Sequence, residues 1–392
     1  MNKVIYISYD GISEPVGQSQ VLPYLNGLSE KGIKITLISF EKENNRRKNI
    51  CLNISWLPLS YHKYPVIPAT LFDILNGFFR SSALIRKNKT EIIHARGYIP
   101  GLIAYLAARL HKVEYLFDMR GFWPEEKIDA GAWKDNGLLY RIIKFLEKRI
   151  ILNAGHIIVL TEAARDLVRK KFCREGVSVI PCCVDLEDQS FDLADRPDIG
   201  LPKGRKIVTY SGSIGTFYDF KGMIDFFKVF KGLVPSAFFL ILTSADHQGV
   251  REILRQNDVS ENDYLLRSVS CKETPLYLKQ SDFTLAFYNR RLSNRGCSPI
   301  KFSESLACGV PVIVSPGIGD CEMIINREKV GIVARKEDYR LAAKQMIELL
   351  KERDGVAKRC LNTAERYFSL KEGINRYLRA YQDMGKSDDS KI

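Results

Sequence analysis

Lys301 and Glu304 stand three residues apart in the run Ser298-Pro299-Ile300-Lys301-Phe302-Ser303-Glu304, which continues through Gly309 into the apolar stretch Val310 to Val314. Pro299 suits the first turn of a helix and Gly309 its C-terminal end, so the pattern predicts a short helix over about 299–308, then a strand buried on both faces. The three-residue spacing puts both side chains on adjoining surface of the first turn. Amides of that turn carry partial positive charge, so a diphosphate there would meet the helix terminus and an ammonium together. Glu304 would repel phosphate; a carboxylate accepts from hydroxyls, such as those of a ribose. The same spacing also describes a solvated i,i+3 ion pair, and spacing alone leaves both readings open.

Such a site needs a scaffold, and the chain alternates strand and helix signals throughout. Val4 to Tyr9 reads as a first buried strand, Asp10-Gly11 and Gly17 as a loop, and Val21, Leu22, Leu25 and Leu28 as a helix closed by Gly32. Further strands are predicted at Ile35 to Phe40, Glu91 to His94, Glu114 to Asp118, His156 to Leu160 and Val177 to Pro181. A second series follows at Ile207 to Ser211, Phe238 to Thr243, Phe283 to Phe287, Pro311 to Val314 and Gly331 to Val333. The fold class is α/β: two doubly wound, Rossmann-like parallel-sheet domains, with ligands expected outside the carboxyl ends of the strands and in a cleft between the domains. The expected division is residues 1–185 for an N-terminal acceptor-binding domain, 186–205 for a polar linker and 206–370 for a C-terminal nucleotide-sugar-binding domain. A helix at 371–384 then returns to the N-terminal domain, and 385–392 is a charged tail.

With 59 Lys and Arg against 46 Asp and Glu, the net charge of +13 favours anionic partners: nucleic acid, an acidic membrane surface or a phosphorylated substrate. The basic residues are spread over both halves, and no nucleic-acid-binding module is recognisable, so charge is the only argument for that partner. Nine cysteines, an odd number without C-x-x-C spacing, and the adjacent Cys182 and Cys183 argue for reduced thiols. The start Met1-Asn2-Lys3 leads directly into a strand, and no apolar run is long enough to span a bilayer, so the expected location is the cytoplasm or the inner face of its membrane.

Several stretches together resemble the family 4 retaining glycosyltransferases of GT-B architecture: Asp10-Gly11-Ile12-Ser13-Glu14-Pro15-Val16-Gly17-Gln18-Ser19-Gln20, Asp118-Met119-Arg120-Gly121-Phe122-Trp123-Pro124-Glu125, Val179 to Asp185, Tyr210-Ser211-Gly212-Ser213-Ile214-Gly215, and Lys301 to Val314. The resemblance covers nearly the whole chain. It implies a nucleotide-diphosphate sugar as donor substrate, no permanently bound cofactor and no metal. The absence of a D-x-D pair agrees with the last point. It further implies that Lys301 contacts phosphate, that Glu304 contacts the nucleotide ribose, and that Gly17, Gly212, Ser213 and Gly215 belong to nucleotide-binding loops, Gly212 and Gly215 allowing close backbone approach to the diphosphate. The family usually has two glutamates eight residues apart; the later matches Glu304 and the earlier falls on Gly296, while the arginine usual after the first glycine of the second domain falls on Ser213. Lys221-Gly222 could supply the family's lysine, or Lys221 is a surface residue at a helix start. Asp118 is expected at the carboxyl end of a strand facing the cleft; Arg120 either pairs with it or reaches an anionic acceptor or a donor phosphate. Asp118, Arg120, Lys221 and Lys301 are thus the catalytic candidates, while His94, ending a buried strand, reads as structural.

The resemblance also places a saccharide or lipid-linked saccharide acceptor on the first domain and a role in cell-surface polysaccharide synthesis. Arg141 to Ile150 is a basic amphipathic helix candidate, and Phe78-Phe79-Arg80 with Arg86-Lys87-Asn88-Lys89 adds cations. These surfaces would suit anionic lipid or simply face solvent. Two other functions fit the same architecture: a nucleotide-sugar epimerase, and a catalytically inactive sugar-nucleotide-binding scaffold, which the altered Ser213 and Gly296 positions allow.

Overall fold

A computed structural model of the chain describes residues 3–42, 53–187, 199–215 and 217–389. It divides into two units. One comprises the described residues up to Pro181 together with those from Leu370 onward; the other is Cys182–Ser369. Residues 188–198 of the expected linker and 390–392 of the expected tail lie outside the described residues.

The first unit alternates β1 (Lys3–Ser8), α1 (Pro15–Gln20), α2 (Leu22–Glu30), β2 (Lys34–Glu41), β3 (Ile54–Ser60), α3 (Val66–Asn88), β4 (Ile92–Arg96), α4 (Tyr98–His111), β5 (Glu114–Asp118), α5 (Trp123–Asp129), α6 (Leu138–Asn153), β6 (His156–Val159), α7 (Glu162–Phe172) and β7 (Val177–Val179). The strands form one parallel sheet in the order β3-β2-β1-β4-β5-β6-β7. β1 and β4 are buried almost throughout, as strands covered by helices on both faces must be.

The second unit contains β8 (Lys206–Ser211), α8 (Phe220–Leu233), β9 (Ala237–Leu242), α9 (His247–Gln256), β10 (Tyr264–Arg267), α10 (Thr274–Leu278), β11 (Phe283–Ala286), α11 (Ile300–Ala307), β12 (Val312–Val314), α12 (Cys321–Glu328), β13 (Gly331–Val333), α13 (Tyr339–Leu349) and α14 (Arg353–Phe368). Its parallel sheet runs β10-β9-β8-β11-β12-β13. Both units are therefore doubly wound, with the strand order reversing between β1 and β4 in one and between β8 and β11 in the other. Crevices at such reversals, outside the carboxyl ends, are where ligands bind in open α/β sheets.

Two strands, β3 and β10, have no counterpart among the apolar runs of the sequence. Each is an edge strand with only part of its surface covered: β3 carries Pro58 and buries little beyond Ile54 and Leu59, and β10 alternates buried and half-buried residues. The last helix, α15 (Leu370–Asp389), extends past the expected end at 384 and belongs to the first unit. There the Tyr377 hydroxyl donates to Asp118 Oδ2 at 2.8 Å, the Tyr381 hydroxyl lies 2.6 Å from His94 Nδ1, and Arg376 donates to the Val179 carbonyl at 3.1 Å.

Candidate functional site

In the second unit Pro299 is the N-cap of α11, and Gly309 follows the helix with φ +69°. Lys301, in the first turn, crosses the loop that leaves β8. Its Nζ donates to the Tyr218 hydroxyl at 2.7 Å and sits 4.0 Å from the centre of the Tyr218 ring. The stem passes so close to Gly212 that a methyl group there would overlap Lys301 Cε and Nζ, and Gly212 itself has φ +146°. Glycine is needed here because a lysine, rather than only a ligand, comes this close.

Glu304 lies one turn further along α11. Among the described residues it makes no ion pair with Lys301, whose ammonium goes to Tyr218, and no hydrogen bond acts on its carboxylate. Burial pushes its carboxyl up to about 7, against the pull of the Lys301 ammonium. An acid in that condition is ready to accept from hydroxyls that replace its lost water. The ion-pair reading of the Lys301–Glu304 spacing is thus set aside: the ammonium is steadied by a phenol, and the carboxylate remains available.

Of the other second-unit candidates, Gly215 faces open space, and its carbonyl accepts from the Tyr218 amide at 3.2 Å. Ser213 accepts from the Tyr210 hydroxyl through its carbonyl at 2.5 Å. The Asp219 side chain caps α8 by accepting from Gly222 N, Phe220 and Gly222 are buried, and the exposed Lys221 ammonium lies 3.3 Å from both Asp225 oxygens and 3.4 Å from Asn257 Oδ1, an i,i+4 pair at the surface. Around Gly296, the Asn294 carbonyl accepts from Gly319 N and Cys297 N, while Ser298 Oγ accepts from Cys182 N at 3.1 Å. That segment is bonded to its own unit. Tyr218 is the residue the motifs did not reveal; its signal is an aromatic three residues after Gly215.

In the first unit the loop after β1 is closed upon itself. The Glu41 carboxylate, buried at the end of β2, accepts from Ile12 N at 2.8 Å, Ser13 N at 3.2 Å and Ser39 Oγ at 2.6 Å. An internal carboxylate therefore occupies the amides that a phosphate would take in a comparable loop. At Gly17 a Cβ would run into the Gly11 carbonyl and Ile12 Cα, so its bareness lets α1 lie on the loop.

Asp118 does end β5, but it is 1% exposed and shared by Tyr377, by Arg120 Nη1 at 3.5 Å and by His94 Nε2 at 3.6 Å. Burial alone would raise its carboxyl; Arg120, His94 and Arg96 outweigh that and hold it well below the usual carboxylate range. Burial pushes His94 below its ordinary value, against the pull of Asp118. Asp118 is the buried joint between β5 and α15. Arg120 pairs with Asp118, the structural alternative, while staying close enough to the surface to meet an anion.

Comparison with known proteins follows the same division of the chain. Residues 19–188 match the family described as Glycosyltransferase Family 4, and residues 192–367 match Glycosyl transferases group 1. The chain is 23% identical over 317 residues to an Escherichia coli UDP-Gal:alpha-D-GlcNAc-diphosphoundecaprenol alpha-1,3-galactosyltransferase, the match covering 77% of each. Among solved structures it resembles sucrose-phosphate synthase from Thermosynechococcus elongatus with TM-score 0.78 and 15% identity, covering 99% of this chain and 100% of that one. It also resembles the Anabaena protein HepE in complex with UDP, with TM-score 0.68 and 12% identity, covering 97% and 99%. At these identities the structural likeness establishes the fold.

Proposed function

Because the chain belongs to glycosyltransferase family 4, we propose that it moves a hexosyl or N-acetylhexosaminyl group from a nucleotide-diphosphate sugar to a lipid-linked saccharide, with retention, in the synthesis of a cell-surface polysaccharide. The observation that carries this reading is the unpaired couple of Lys301 and Glu304 beside Gly212 at the β8/β11 reversal. Lys301 and the first-turn amides of α11 would take the diphosphate, and Glu304 the ribose hydroxyls. In transfer, the bond from the anomeric carbon to the diphosphate breaks, an acceptor hydroxyl oxygen bonds that carbon from the same face, and its proton leaves with the diphosphate. Cationic and N–H donors fixed in advance stabilise the charge that develops on the leaving group. The Escherichia coli relative's diphosphoundecaprenol-linked acceptor and UDP-Gal donor support a lipid-linked acceptor and make UDP-sugars the first donors to try. Both halves matching glycosyltransferase families favours transfer over epimerisation.

A lipid-linked acceptor calls for work at a membrane surface. No helix among the described residues is long and apolar enough to cross a membrane. Instead α3 exposes Ile67, Leu71, Leu75 and Phe79 at four-residue spacing, each more than half exposed, with Arg80, Arg86 and Lys87 also at the surface. α6 similarly exposes Leu138, Ile142 and Phe145 beside Arg141, Lys148 and Arg149. Apolar stripes among cations suit anionic lipid headgroups. Salt-sensitive co-sedimentation with anionic vesicles is the expected result; no binding at low salt removes this part of the reading.

A thermal-shift and transfer panel of uridine-, guanosine- and adenosine-diphosphate sugars tests the whole. A donor that raises Tm and is turned over supports the transferase. Binding with no turnover favours the inactive scaffold, and no binding at all ends the donor-site reading.

A further inference from the structure

Arg96, the last residue of β4, is 5% exposed, yet its Nε and Nη1 have no hydrogen-bond partner. The nearest anion is the half-exposed carboxylate of Asp10, with Oδ2 3.7 Å from Nε, beyond hydrogen-bond length. Arg205, a half-buried arginine of the second unit, looks different. Arg205 gives Nε to the Ser236 carbonyl at 2.9 Å and Nη2 to the Ala237 carbonyl at 2.8 Å and Asp263 Oδ1 at 2.9 Å. A buried guanidinium with empty donors is costly unless a ligand completes it.

Its position says where that ligand enters. β1 and β4 are the strands between which the first sheet reverses, and Ser8 of β1 and Asp118 of β5 are the register neighbours of Arg96. Asp118 is already engaged by Arg120 and Tyr377, so Asp10 is the carboxylate facing Arg96. Directly after Arg96 comes Gly97, with φ +87° and open space where a side chain would project. It begins α4, a helix of 14 residues whose N-terminus has no side-chain cap, leaving the Tyr98 and Ile99 amides at its start. Arg120 adds a second cation at the same end of the sheet, its charge and that of Arg96 both acting on the buried Tyr6 phenol.

We propose that this crevice at the β1/β4 reversal is a second anion site, separate from the Lys301 site, in which Arg96 and the start of α4 take a phosphoryl group of the acceptor. The guanidinium fork matches two phosphate oxygens, and Asp10 stands where the ligand's anion would draw close. This rests on the transferase reading for the identity of its ligand. The shared chemistry of donor and acceptor is diphosphate, so inorganic pyrophosphate is the probe, titrated calorimetrically into the full chain with and without saturating UDP. With UDP filling the donor site, pyrophosphate is expected still to bind. Arg96→Gln should weaken that binding at least tenfold and leave UDP affinity unchanged; Lys301→Ala should do the reverse. Asp10→Asn, at a half-exposed position that does not threaten folding, should tighten pyrophosphate binding severalfold by removing a competing carboxylate. A merely structural Arg96–Asp10 pair predicts lower Tm for both variants and no opposite shifts in affinity; that result, or loss of all pyrophosphate binding under UDP, overturns the proposal. Failure of UDP to bind would end the donor-site reading, while the opposed responses of Asp10→Asn and Arg96→Gln to pyrophosphate would still report on this site.

Discussion

The two sheet reversals share a topology and differ in who occupies the first loop. After β1, the amides of Ile12 and Ser13 are held by the Glu41 carboxylate and α1 presses on the loop at Gly17. After β8, Gly212 to Gly215 keeps open space at Gly215, and a lysine from α11 crosses Gly212. One loop carries its own anion; the other carries a cation awaiting one. From one architecture the chain has thus made a filled nest and an open nest, and the nucleotide-diphosphate site proposed above is the second. In the first unit the cation is instead on β4, at Arg96, beside the nest and not within it.

Breaking the open nest should have the largest effect. Lys301→Ala is expected to lower turnover about a hundredfold or more, a loss of roughly 3 to 4 kcal/mol in barrier stabilisation. Gly212→Ala, which displaces the lysine stem, should reproduce this with UDP affinity falling in step; steady-state kinetics and UDP titration check both. Breaking the filled nest should hurt stability and spare UDP binding. Glu41→Gln leaves buried amides poorly matched and should cost about 1 to 3 kcal/mol in denaturant unfolding. If UDP affinity falls instead, the first loop is part of the donor site and the contrast fails.

Glu304 supplies a pH test. Its carboxyl is raised from 4.5 to about 7 by burial, so the stability of its protonated form is complete below about 4.5 and is lost as pH rises through about 7. Glu304→Gln should therefore match the wild type near pH 4 and become more stable by about 1 to 3 kcal/mol at pH 8. UDP binding should release a proton near pH 7 in the wild type and none in the variant, which calorimetry in buffers of different ionisation enthalpy would show. The smallest effect is expected for Tyr218→Phe, which removes the 2.7 Å bond to Lys301 but keeps the ring beneath it. A loss of about 1 kcal/mol, severalfold in UDP affinity, should result.

The central strands were legible because burial on both faces leaves continuous apolar runs, and β13 falls on its expected span, Gly331–Val333. Edge strands such as β3 lack that signature for the same reason. Lys301 and Glu304 were legible from helix spacing, although nothing in the spacing separates an ion pair from an open couple; Tyr218, 83 residues away, decides it. Lys221 had its partner nearby, since Asp225 stands four residues on, the spacing of an exposed helical pair. Asp118 did not: its partner Tyr377 is 259 residues distant. Arg96 carries a weak local signal, a charge closing the buried run Ile92 to Ala95 just before a glycine and a helix start.

That distance has a consequence for how the chain is made. His94 and Asp118 meet their partners on α15 across 287 and 259 residues, so the first unit cannot satisfy its buried acid and imidazole until the whole second unit has been translated. Unlike a string of independent domains that fold in order of synthesis, the first half must wait, with contacts of very high sequence separation closing last. Premature termination just after Ser369 would then leave the second unit whole and strand the first in an unfinished state, exposed to proteases and chaperones.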